Sequence, residues 1–131
     1  MKLATRRDGS RDGRLVIIRR DNAVFTPADD IALTLQAALD DWDAVQPALA
    51  ARSDALNAGK IVGTPVTDVV FDAPLPRAYE WVDGSAYINH VELVRAASAT
   101  QVPDSYYTEP LMYQGGSDDF LGPTDPIVCR S

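Results

Sequence analysis

The sequence predicts an α/β fold of the α+β kind: a small antiparallel sheet packed with helices over residues 1–75, then a strand, a helix and loops over residues 76–131. Three observations predict it. Short β-branched runs alternate with Asp–Gly pairs near the amino terminus, the apolar period becomes helical at Thr34, and Pro74-Leu75-Pro76 separates this region from a second strand-and-helix pattern.

Leu3 and Thr5 precede Asp8-Gly9, Asp12-Gly13 leads into Leu15-Val16-Ile17-Ile18, and Ala23-Val24-Phe25 follows Asp21-Asn22. Asp–Gly pairs favour the left-handed dihedrals of tight hairpin turns, and β-branched residues suit a strand. An antiparallel meander follows. From Thr34, Leu35, Leu39 and Trp42 recur at four and three residues, the spacing of one buried helix face, with Thr34 as its cap. Pro47 suits the first turn of a second helix that carries Leu49 and Leu56 and stops at Gly59. The prolines at 74 and 76 forbid a central strand there. Beyond them, residues 77–82 read as an entering strand. Gly84 to Ala97 reads as a helix capped by Ser85 with Tyr87, Val91 and Val94 on one face. A long loop then leads to a final strand, Ile127-Val128-Cys129, which breaks off at Arg130-Ser131 as a truncated chain would.

A chain of 131 residues, 46% hydrophobic and 24% charged, has the composition of a folded protein but is short for an enzyme with a closed pocket. Its formal net charge of -7 repels phosphate backbones, so nucleic acid is not an expected partner. Arg6, Arg7, Arg11, Arg14, Arg19 and Arg20 are interleaved with Asp8 and Asp12, a mixture that favours a solvated hairpin edge over an anion-docking patch. With no run of 18 apolar residues and no apolar leader after Met1, neither a membrane span nor a secretory signal is expected, and a cytoplasmic location is. Cys129 is the only cysteine, which excludes an internal disulfide and a thiolate-rich zinc site within these residues. It reads as a small apolar side chain in the last strand.

Candidate chemistry lies after residue 75. His90 is the only histidine, so any imidazole chemistry rests on it. Asp83 stands seven positions earlier. If both belong to one helix they share a face about 10 Å apart, suiting a metal carboxylate on one side of a substrate and a base on the other. Capping of the following helix is the competing role for Asp83, and a structural one for His90. Tyr113 sits in Pro110-Leu111-Met112-Tyr113-Gln114-Gly115-Gly116, where paired glycines let backbone approach a ligand and where a turn-packing tyrosine is the plainer reading. Asp118 and Asp119 would point apart in an extended strand, a weak metal signal. Zinc motifs, Walker loops and dinucleotide loops are absent.

Two strings, Tyr87-Ile88-Asn89-His90-Val91-Glu92-Leu93-Val94-Arg95 and Met112-Tyr113-Gln114-Gly115-Gly116-Ser117-Asp118-Asp119-Phe120-Leu121-Gly122-Pro123, resemble the bacterial branch of the fumarylacetoacetate hydrolase family that carries its own small amino-terminal domain. The resemblance implies that residues 76–131 begin a mixed β-rich catalytic domain. It further implies Mg2+ or Ca2+ held by carboxylates, a 2-oxo acid substrate such as an acylpyruvate, and a homodimeric parent enzyme. On this likeness Asp83 is a metal carboxylate, His90 the catalytic histidine and Tyr113 a substrate contact. Gly116 and Ser85 stand where the family hydrolase has arginine and tyrosine, so the contacts to a substrate carboxylate differ. The family's remaining metal ligands, a Glu-x-Glu pair and a later aspartate, are expected beyond Ser131, and the chain alone is expected to be inactive. Hydration, isomerisation or decarboxylation of 2-oxo acids is the alternative within the family. A stand-alone binding or assembly module is the alternative outside it.

Overall fold

β1 (Lys2–Arg6) and β2 (Arg14–Ile18) pair antiparallel, with Lys2 opposite Ile18 and Arg6 opposite Arg14. The computed structural model describes residues 1–129. β3 (Val24–Pro27) continues the meander against β2, and the two-residue β4 (Thr64–Pro65) closes the order β1-β2-β3-β4. Residues directly opposite one another share a face. Leu3, Thr5, Leu15 and Ile17 therefore point one way and Ala4, Val16, Ile18 and Phe25 the other.

The first of these faces meets the helices. Leu15 and Ile17 form a core with Ala28, Leu35, Ala38, Leu49 and Leu56. α1 (Leu35–Asp40) is capped as expected, Thr34 Oγ1 accepting the Ala37 N–H at 3.1 Å. The expected buried stripe does not extend along it. α1 ends at Asp40 and Asp41 leaves helical geometry, so Trp42 opens a new helix out of phase; Leu35 and Ala38 face the core, while Leu39 and Trp42 are 46% and 36% exposed. α2 (Trp42–Asn57) also starts earlier than Pro47 implies, and the proline lies inside it. The ring is tolerated because it lies on the exposed face of the helix. Gly59 ends α2 at φ +69°, its N–H donating to the Leu56 carbonyl and that of Lys60 to Ala55, a left-handed cap suited to glycine.

Val16 and Phe25 are buried on the other face because residues 66–78 run beneath it. The Arg7 N–H donates to Val70, the Asp72 N–H to Thr5, and the Phe71 ring meets Phe25 edge-on at 6.0 Å. As the prolines demand, this segment makes only an isolated bridge, Arg6 with Phe71. The stretch from Asp119 joins the same unit. Phe120 N–H donates to the Pro76 carbonyl, and Arg7 holds Asp125 through two bonds, at 3.0 and 2.6 Å, and also Asp72.

Residues 79–118 form a second unit, built from β5 (Val82–Ser85), α3 (Ile88–Ala97), a 3-10 turn at Asp104–Tyr107 and β6 (Leu111–Gln114). The strand expected at 77–82 begins instead at Val82, and the helix expected from Gly84 begins at Ile88 without a side-chain cap. Gly84 and Ser85 are drawn into the ladder by Met112 and Leu111, which satisfy their backbone better than one cap would. Of the expected stripe only Val91 is buried; Tyr87 and Val94 are exposed. Residues 111–114, expected in a loop, are the partner strand.

Ile127, Val128 and Cys129 form no strand and are exposed, since a short apolar run needs an edge to pair with and none among the described residues takes it. The expected break at Arg130-Ser131 lies outside the described residues. No helix among the described residues is long and apolar enough to cross a membrane.

Candidate active site

Asp83 and Tyr113 are cross-strand partners in the β5–β6 ladder and so stand on the same face. Asp83 is neither a helix cap nor a member of the His90 helix, which corrects both sequence-based placements: strand pairing through Ser85 moves the helix start past it. Its carboxylate makes no hydrogen bond or ion pair among the described residues. Tyr113 lies in a strand rather than a turn, 63% exposed, with its ring edge-on to Trp81 at 5.9 Å and 74°.

The next pair along that face, Ser85 with Leu111, lines a cleft of about 420 Å³ together with His90, Val91, Val94 and Arg95. His90 occupies the third position of α3 and is exposed. The ladder thus presents a carboxylate and a phenol on one face, and at its end a cleft holding the imidazole. Arg95, a half-buried cation in this cleft, was not singled out from the sequence; its place four residues after Val91 was the available signal. Tyr106 braces the arrangement, its buried hydroxyl donating to the Ser85 carbonyl at 2.5 Å. Tyr107 donates to Glu92 at 3.2 Å, and its hydroxyl pKa is pushed up by burial and then by this bond.

The glycine pair divides. A methyl group at Gly115 would overlap the Trp81 ring, whereas Gly116 faces open space. Gly115 therefore serves a close approach by a side chain of the protein itself rather than by a ligand.

The metal signal from Asp118 and Asp119 does not hold. Both have positive φ, 56° and 28°, so neither is extended, and Asp119 pairs with Arg11 at 3.6 Å. Among the described residues no group of three His, Cys, Asp or Glu side chains is placed to hold a metal ion. Hard cations take six or more oxygens. Asp83 alone does not fit one.

The first unit carries a larger cleft of about 710 Å³, lined by Ala4, Ile18, Phe71 and Leu121 among others, but its one carboxylate, Asp72, is engaged by Arg7. Four arginines of this region pair with aspartates, Arg14 and Arg19 with the nearby Asp8 and Asp21, and Arg7 and Arg11 with Asp72 and Asp119 farther along the chain. Arg19 and the Ala23 N–H hold the Asp21 carboxyl at about 2. Hydrogen bonds from Ser10, with Arg14 nearby, lower that of Asp8. This is the solvated, charge-mixed edge that the sequence predicts.

Residues 1–77 match the family model described as fumarylacetoacetase N-terminal domain 2. The match ends before Asp83. No curated protein matches the chain.

Proposed function

The chain belongs to the fumarylacetoacetase N-terminal domain 2 family, and from that premise we propose that it serves a metal-dependent hydrolase that cleaves a carbon–carbon bond in an acylpyruvate or a fumarylacetoacetate-like 2-oxo acid. The observation that carries the reading is the shared face of Asp83 and Tyr113, with His90 in the cleft at its end.

In this reaction water adds across the bond between the acyl carbon and the methylene carbon. The water oxygen goes to the acyl carbon, the bonding electron pair and a proton go to the methylene carbon, and a carboxylate and pyruvate leave. His90 takes the proton from the attacking water as a general base. The Tyr113 hydroxyl donates a hydrogen bond to a substrate oxygen. Asp83 would supply one ligand to Mg2+ or Ca2+, and the enzyme must supply the rest.

The test is turnover of acetylpyruvate with Mg2+ by the protein purified from its own cells, followed as pyruvate released. Release that stops on chelation supports the reading. Intact acetylpyruvate beside an altered 2-oxo acid, whether hydrated, isomerised or decarboxylated, would shift the reaction within the family. No turnover of any 2-oxo acid would favour a binding or assembly module, the reading that the single carboxylate at Asp83 favours for the chain alone.

A further inference from the structure

We propose that Trp81 is a positioning residue for Tyr113: it walls in the phenol and sets where its hydroxyl can reach. This rests on the function proposed for Tyr113 and deepens it.

Trp81 is held in two ways. Its backbone extends the ladder beyond Val82, its carbonyl accepting the Gly115 N–H at 2.7 Å and its N–H donating to the Gly116 carbonyl at 3.0 Å, so that two glycines face one tryptophan as in a β-bulge. Its ring lies where a side chain at position 115 would be, which pins the indole to the strand. Pinned there, it meets the Tyr113 ring at 5.9 Å and 74°, the edge-to-face geometry favoured by aromatic quadrupoles. Position supports the same conclusion. Trp81 is the diagonal neighbour of Tyr113 on the face that also carries Asp83, within reach of a long aromatic side chain.

An exposed tyrosine on a short strand otherwise samples several χ1 rotamers, of which few aim its hydroxyl at a given point. The indole removes those that cross its plane. The glycine at position 115 follows from this, since it accommodates the indole.

The test uses Trp81→Phe, which keeps an aromatic edge, and Trp81→Leu, which keeps bulk over Gly115 without one, each in the natural protein and beside Tyr113→Phe. With acetylpyruvate as probe, Trp81→Leu is expected to raise KM about three- to tenfold with kcat little changed, the range of one aromatic pair, while Trp81→Phe stays near the natural protein. Beside Tyr113→Phe, where no hydroxyl remains to be placed, Trp81→Leu should add nothing. An equal cost in both backgrounds, or none in either, overturns the proposal. The ring-proton NMR signals of Tyr113 give a readout that needs no substrate: they should move in Trp81→Leu and hold in Trp81→Phe. Absence of turnover by the natural protein counts against the proposed reaction, whereas unmoved Tyr113 signals count against the role of Trp81.

Discussion

Asp83 and Tyr113 face each other across one rung of the β5–β6 ladder, so a carboxylate and a phenol distant in the chain share one face. A strand register that slipped by one residue would send one of them to the opposite side. The register is held by the Trp81 pairing with Gly115 and Gly116 at one end and by the Tyr106 hydroxyl on Ser85 at the other.

His90→Ala is expected to lower kcat on an acylpyruvate by about 10²- to 10⁴-fold, the contribution of one positioned acid or base. Since His90 is exposed on α3, unfolding free energy should stay within about 0.5 kcal/mol. Steady-state kinetics paired with urea unfolding checks both. Unchanged turnover would remove His90 from the mechanism.

Asp83→Asn keeps the size of the side chain and removes its charge. In the natural protein the Mg2+ concentration for half-maximal activity should rise about tenfold or more, as hard cations favour carboxylate oxygen. A metal titration of activity reads it, and an unaltered requirement would leave Asp83 outside the ion site.

Core truncation separates the two helix readings. Leu49→Ala deletes a fully buried side chain and should cost about 2–5 kcal/mol. Leu39→Ala, on the exposed side of α1, should cost less than about 1 kcal/mol. Equal costs by urea denaturation would restore the stripe of Leu35, Leu39 and Trp42 to the core.

Gly59→Ala meets no steric neighbour, since the space around a Cβ there is open. The φ of +69° should still cost about 1–2 kcal/mol. Asn at the same position should cost less, because it tolerates left-handed geometry. A harmless Gly59→Ala would mean that α2 ends differently in solution.

Acid should weaken the hairpin. The Asp21 carboxyl is lowered to about 2 by Arg19 and the Ala23 N–H, against about 3.9 in an unfolded chain. Asp125 is lowered by Arg7 and the Gly122 N–H, and Asp12 by Arg77. A folded pKa below the unfolded one contributes stability above the unfolded value and loses it as pH falls through the folded value. Urea midpoints should therefore hold from pH 7 to about pH 4.5 and fall between about pH 4 and pH 2. High salt should blunt the effect, because these pairs are exposed.

Much of the first unit was legible in the residues. The β-branched runs marked the meander, Thr34 marked a helix start and Gly59 a helix stop, each signal acting between close neighbours in the chain, whereas the two Asp–Gly pairs, expected as tight turns, lie together in the longer connection of residues 7–13. The departures in the second unit share one cause. Helical spacing of Tyr87, Val91 and Val94 makes Gly84 and Ser85 look helical, and the glycine, proline and aspartate around Leu111–Gln114 make it look like a loop, while pairing between the two segments makes both strands.

Residue type and resemblance alone single out His90, Asp83 and Tyr113 as candidates. The sequence by itself determined the caps, charge mixing and strand-and-helix content of the first unit, because those depend on hydrogen bonds and sterics within a few residues. Only the tertiary structure decided that Asp83 faces Tyr113 from a strand, that His90 lines a cleft at the end of the same face, and that Trp81 takes the space left by Gly115. Strand pairing joins residues far apart in the chain, and its register depends on a partner that no local pattern names.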